Sequence, residues 1–145
     1  MTVRVNTYLN FAGNAREAFE FYKSVFGGEF SSAVSFGDFP MEGVTIPEEE
    51  RDKMVHISLP LGGDAVLMAS DVLESSGREL TVGNNVYVSV HPDSREDADR
   101  IFEGLSAGAD VEMPMGVQAW GDYFGSLVDK FGVRWMVNHG PSQDA

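Results

Sequence analysis

One pattern occurs twice in this chain, and it narrows the folds open to it. Asn14 opens the run AREAFEFYKSVFGG, and Ser94 opens the run REDADRIFEGLSAG. Each run starts at a residue able to cap a helix and carries an acid three positions later, Glu17 or Asp97, the signature of a capping box. Apolar residues then recur at helical spacing: Ala15, Ala18, Phe19, Tyr22, Val25 and Phe26 in the first run, Ala98, Ile101, Phe102 and Leu105 in the second. Each run stops at glycine, at Gly27–Gly28 and at Gly108, where a left-handed cap carries no Cβ strain. A strand-like stretch precedes each helix and three follow it. Two copies are too few for a solenoid, so the expected fold is α+β, built from two tandem βαβββ modules.

The first module reads as a strand near Val3–Phe11, a helix from Asn14 to Phe26, and strands at Glu29–Phe36, Lys53–Leu59 and Ala65–Ser70. In the third strand Val55, Ile57 and Leu59 share one face, opposite Met54, His56 and Ser58. Gly37–Glu50 carries glycines, prolines and an acidic run; it is either a lid over a site or a surface excursion. Asp71–Gly83 is the expected linker. The second module reads as a strand at Asn85–Val90 with its three valines on one face, a helix from Ser94 to about Ala107, a short strand at Asp110–Met113 and a loop at Gly116–Gly121. A hairpin of Asp122–Val128 and Val133–Asn138 follows, turning at Asp129–Lys130–Phe131–Gly132, and Pro141–Ala145 reads as a loose tail. The 145 residues thus form one domain of two modules, about 3–70 and 84–138, joined at about 71–83.

With helices on one face of each sheet, the opposite faces are free to curve around a cavity. Alternation assigns Asn6, Tyr8, His56, Met68, Asn85, Tyr87, Phe124, Met136 and Trp120 to that cavity. A register slip of one residue would invert any of these assignments.

The formal charge is −13, a field that repels phosphate backbones and argues against a nucleic-acid partner. It serves solubility or favours a cationic ligand. The absence of cysteine removes disulfides, thiolate metal sites and cysteine nucleophiles. No apolar run approaches membrane-spanning length and Met1–Asn10 carries no signal-peptide pattern, so a soluble cytoplasmic protein without a membrane partner is expected.

The segments YLNFAGNAREAFEFYKSVFGG, MVHISL, VLMASD and WGDYFGSLVDKFGVRWMVN together resemble the PhnB-like family. That family belongs to the vicinal oxygen chelate superfamily, with glyoxalase I, bleomycin-resistance proteins and extradiol dioxygenases. The resemblance runs from Val3 to Asn138. Phe21–Tyr22 before Phe26–Gly27, and the Asp129–Gly132 turn, are shared widely in the superfamily; the His56 strand and Trp120–Gly121 are more particular to the PhnB-like branch. The resemblance implies the glyoxalase/bleomycin resistance/dioxygenase fold and a homodimer whose sheets complete the pockets. It also implies a divalent metal held by His, Gln or Glu on the first and last strands of each module. Those positions fall near Asn6–Tyr8, Leu67–Met68, Asn85–Tyr87 and Trp135–Met136, and none is His, Glu or Asp. Methionine thioethers are poor ligands for a hard or borderline cation. No cofactor is therefore expected, and a metal-dependent lyase, isomerase or dioxygenase with a non-standard ligand set is the alternative. Some relatives carry a ubiquinone methyltransferase label, but this chain has no glycine-rich loop after its first strand.

The expected function is binding of a small organic molecule, with a cationic aromatic compound sequestered in the manner of bleomycin-resistance proteins as a specific version. The candidate binding residues are His56, Tyr8, Tyr87, Asn85, Trp120 and Met136. His56 has the intrinsic pKa of a general base or substrate anchor, although a lone histidine also serves by bonding a neighbour. Trp135 is expected in the core beside Val133 and Val137, whereas Trp120, between glycines, is free to cover a ligand. Tyr8 and Tyr87 stand at matching places in the two repeats, as pocket walls or as ordinary strand aromatics.

Overall fold

The computed structural model describes residues 1–39 and 42–140. Pro40 and Met41 of the expected 37–50 loop, and the expected tail Pro141–Ala145, lie outside the described residues. The chain divides into two compact units, Met1–Thr81 and Val82–Ala145.

The first unit runs β1 (Thr7–Phe11), α1 (Ala15–Phe26), β2 (Ser32–Ser35), β3 (Met54–Gly62) and β4 (Ala65–Asp71), with 3-10 turns at Glu48–Glu50 and Glu74–Ser76. Its sheet has the order β1-β4-β3-β2. β3 and β4 form an antiparallel hairpin, while β1 runs parallel to β4, a pairing that needs the long crossover which α1, β2 and β3 supply. The helix spacing seen in the sequence delivers Ala15, Ala18, Phe19 and Tyr22 to the sheet, where they meet Ile57, Leu59, Leu67 and Ala69; all are fully buried. Phe19 packs edge-on against Phe11 and Tyr22. Each of the large side chains contributes about 1.5–3 kcal/mol by leaving water.

Asp71 fastens this unit together. It ends β4, is 6% exposed, and its carboxylate accepts three backbone hydrogen bonds. Oδ1 takes the N–H of Gly13 at 3.1 Å and of Ala15 at 2.9 Å, and Oδ2 takes that of Met54 at 2.7 Å. The helix N-terminus, with its unpaired N–H groups and partial positive charge, is a natural seat for an anion. The cap expected from Asn14 is not made, because Asn14 forms no side-chain cap bond and Asp71 already occupies the place.

The same contact changes the phase of β3. Val34 pairs with His56 but Ser35 pairs with Met54, leaving Val55 as the extra residue of a β-bulge. Met54 is therefore fully buried and does not share a face with His56 as simple alternation required.

The second unit repeats the order with β5 (Val88–Val90), α2 (Arg95–Leu105), β6 (Asp110–Val117), β7 (Tyr123–Val128) and β8 (Arg134–His139), in the sheet order β5-β8-β7-β6. The fold is thus α+β with two tandem βαβββ modules. Here the expected cap is made: Ser94 Oγ accepts from the Asp97 N–H at 3.0 Å. Ala98, Ile101, Phe102 and Leu105 are buried, and α2 packs on β8. Phe102 of α2 lies so close to β7 that a Cβ on Gly125 would sit 2.9 Å from its ring, and 2.7 Å from Met115 Sδ of β6. Trp135 is fully buried as expected. Its indole N–H donates to Asp129 Oδ2 at 2.8 Å, while Asp129 Oδ1 holds the N–H groups of Phe131 and Val133, closing the hairpin turn.

Several boundaries differ from expectation: β1 starts at Thr7, not Val3, and β2 is confined to Ser32–Ser35 within the expected Glu29–Phe36. β5 starts at Val88, not Asn85, and Val86 is 72% exposed. Val88 pairs with Trp135, and β8 itself begins at Arg134, so no ladder partner remains opposite Asn85 and Val86. β6 continues through the expected loop to Val117. As the edge strand it tolerates Pro114, and its register shifts after Val111 and Met113 absorb the irregularity.

Two measurements test these contacts. Asp71→Ala should lower the unfolding free energy by about 3 kcal/mol, Ser94→Ala by about 1 kcal/mol, and Asn14→Ala by less than about 0.5 kcal/mol in urea titrations. If Asn14→Ala cost as much as Ser94→Ala, the remote cap would be wrong. Tyr123 on β7 donates a hydrogen bond to Asp99 of α2 and lies under the Arg95 guanidinium; the bond to the Asp99 carboxylate raises its pKa above the usual 10.0. Because the folded pKa is raised, this contact stabilises below the ordinary tyrosine range and is lost as pH rises through the folded value. Ultraviolet difference titration should show a late-titrating phenol that Asp99→Asn brings back toward 10.0.

Candidate functional site

The sheet face turned away from α1 remains accessible in the first unit. Across it, Tyr8 of β1 stands opposite Met68 of β4, which stands opposite Ser58 of β3, which stands opposite Ser32 of β2. In the neighbouring positions Asn10 faces Ser70, and Val34 faces His56. Tyr8 and His56 come together here. The phenol oxygen lies 3.4 Å from His56 Nδ1, and the two rings are 5.8 Å apart, tilted by 33°. Tyr8 is 46% exposed and His56 half-buried, so a molecule resting on the sheet reaches both. Between them they offer a phenol and an imidazole, each able to donate or accept. Ser70 Oγ bonds Asn10 Oδ1 at 3.3 Å, and Ser58 pairs with Ser31 at 2.6 Å.

The equivalent face of the second unit has other chemistry. Tyr87 donates to Glu112 Oε1 at 2.7 Å, and Arg134 Nη1 reaches Glu112 Oε2 at 3.2 Å and the Tyr87 oxygen at 3.5 Å. The guanidinium also lies 5.8 Å from the Tyr87 ring centre, and its buried Nε has no hydrogen-bond partner. Tyr87 therefore serves an ion pair and does not match Tyr8: the residue opposite Met136 is Ser89, as Tyr8 is opposite Met68. The sequence repeat aligned the two tyrosines, whereas strand pairing matches Tyr8 to Ser89, two residues beyond Tyr87, which lies just ahead of β5. Met136 is half-buried on β8, opposite Ser89 and Ser126. Asn85 is exposed ahead of β5. Trp120 follows β6, is 64% exposed, and meets Phe124 edge-on at 6.1 Å.

Arg134 and Glu112 were missed by sequence reasoning. Arg134 sits two residues before Met136 and hence on the same face, a signal that period-2 alternation contains. Glu112 falls at a register shift, where alternation gives no guidance.

A divalent cation does not fit these residues. Tyr8 faces a thioether at Met68, Leu67 is buried under α1, and Trp135 is committed to Asp129. The carboxylate of the second face, Glu112, is neutralised by Arg134, whose fixed charge opposes a dication. Among the described residues no group of three His, Cys, Asp or Glu could hold a metal ion. Among the same residues no helix is long and apolar enough to cross a membrane.

Comparison with known proteins places this geometry. Residues 4–137 match the Glyoxalase/Bleomycin resistance protein/Dioxygenase superfamily. The chain is 30% identical to Protein YjdN of Escherichia coli strain K12, over 92% of this chain and 93% of that protein. It is similar in structure to protein PA1353 from Pseudomonas aeruginosa, with 36% identity, a TM-score of 0.82 and coverage of 96% and 98%. It also resembles the PhnB protein from Bacillus cereus, with 27% identity, a TM-score of 0.73 and coverage of 95% and 100%.

The two tryptophans give a direct check of their placement. Trp135→Phe should leave an emission typical of water-exposed indole and readily quenched by acrylamide, whereas Trp120→Phe should leave a blue-shifted, poorly quenched one. Equal quenching of the two variants would contradict the exposure of Trp120.

Proposed function

Since the chain belongs to the Glyoxalase/Bleomycin resistance protein/Dioxygenase superfamily, on its PhnB-like branch, we propose that it binds a small organic molecule without the superfamily's usual metal. The Tyr8–His56 pair on an accessible sheet face carries this reading. The two groups meet on the open face of the first sheet, and among the described residues neither takes part in a salt bridge. Tyr8 and His56 orient the ligand through hydrogen bonds, and Met68 supplies an apolar floor. The working form is a homodimer in the cytoplasm, in keeping with the closed two-fold dimers common among soluble oligomers.

A thermal-shift screen with divalent metals and with small cationic, anionic and uncharged organic compounds tests the proposal. A ligand present at a hundred times its dissociation constant should stabilise by about 2.7 kcal/mol. The effect should vanish in His56→Ala and weaken in Tyr8→Phe. A shift with metal, stoichiometric by elemental analysis and lost in His56→Ala, would replace this reading with a metal-dependent lyase, isomerase or dioxygenase. A shift confined to cationic aromatics and lost in Trp120→Ala would instead favour sequestration. Sedimentation should return twice the chain mass.

A further inference from the structure

Resting on the binding reading above, we propose that the ligand of the Tyr8–His56 face is an uncharged molecule bearing hydroxyl or carbonyl oxygens. The observation is a contrast in charge. The chain is 23% charged residues with a formal balance of −13. Yet among the described residues, the strand positions of the face bounded by Tyr8 and Asn10 on β1 and by Ser32 and Val34 on β2 hold no Asp, Glu, Lys or Arg. Several charged residues of the first unit lie elsewhere. Arg16 and Glu20 pair on the exposed side of α1, Glu48 and Arg51 pair beyond β2, and Asp64 is exposed in the β3–β4 turn.

An ion settling on the face sheds part of its hydration and finds no fixed counter-charge to replace it. The net charge of the chain does not substitute for one, since exposed charges are screened beyond roughly 8 Å in physiological salt. What the face does supply is groups that both donate and accept: the Tyr8 phenol, the His56 imidazole, the Asn10 amide and the Ser70 hydroxyl. Met68 and Val34 beside them suit a carbon skeleton. A hydroxyl or carbonyl oxygen matches either hydrogen-bonding role, and an uncharged compound crosses no repulsive field to arrive. The second unit's face, by contrast, carries the Arg134–Glu112 pair, so this neutrality belongs to the first sheet and not to the fold.

Three probes of one carbon skeleton test this on the full chain by amide chemical-shift titration: 1,2-hexanediol, hexylammonium and hexanoate. The diol should saturably shift amides of residues 7–10, 56–58 and 66–70, with an affinity changing less than about two-fold between low and high salt. The charged probes should bind there about ten-fold more weakly or worse. Tyr8→Phe should weaken diol binding several-fold while leaving the rest of the spectrum in place. Ser70→Asp, which plants a charge on the face, should shift preference toward hexylammonium. Hexylammonium or hexanoate binding the native face as tightly as the diol would overturn the neutral-ligand inference and leave the binding reading intact. No perturbation of these amides by any probe, nor by any compound of the thermal-shift panel, would overturn both.

Discussion

The first unit depends on one buried carboxylate. Asp71 closes β4 and spends its two oxygens on the β1–α1 connection, the first turn of α1 and the first residue of β3. Three pieces of backbone distant in sequence, at residues 13–15, 54 and 71, are thereby held at one point. A carboxylate at 6% exposure is costly to bury, and what offsets that cost is a set of donors that would themselves be orphaned without it. The consequence for the site is geometric. Drawing Met54 inward creates the bulge at Val55, so β3 buries both Met54 and Ile57 while His56 stays on the open face beside Tyr8.

The helices, their buried stripes and the burial of Trp135 were legible in the sequence because each rests on local periodicity or on a nearby turn. Asn14 and Ser94 look alike as caps, and only Ser94 acts as one. Nothing local distinguishes them, since the competitor for the first helix lies at the far end of the module. The same holds for Met54, whose burial follows from a bulge, and for the late start of β5, which follows from where β8 begins. Glu112 was hidden by a register shift, whereas Arg134 shares the alternation of Met136. Long-range satisfaction of backbone donors, not propensity, decided most of these positions.

The acidic run shows the same principle. Glu48–Glu49–Glu50 reads as a solvated stretch, and Glu48 and Glu49 are exposed, but Glu50 is only 9% exposed. Its Oε2 accepts from the Ser75 N–H at 3.4 Å in the second 3-10 turn, while Oε1 has no hydrogen-bond partner. Like Asp71, it reaches from one segment to the exposed donors of another. Two of the carboxylates that make up the large negative charge are therefore structural, and the formal sum overstates what a ligand meets locally.

Duplication of the fold has not duplicated its chemistry. The helix-facing sides of both sheets answer the same demand, apolar volume at matched positions, and so both modules reproduce the same backbone. The opposite sides answer to no such demand, and they differ: a phenol, an imidazole and hydroxyls on the first, a guanidinium–carboxylate pair bridged by Tyr87 on the second. Even the two tyrosines that suggested a symmetric pocket are out of step, Tyr8 facing Met68 while Ser89 faces Met136. A site shared evenly between repeats would need like groups at like register. Here the register is alike and the groups are not, so recognition must be argued face by face. On that footing the first face, accessible and without fixed charge, is the better place to look for the ligand.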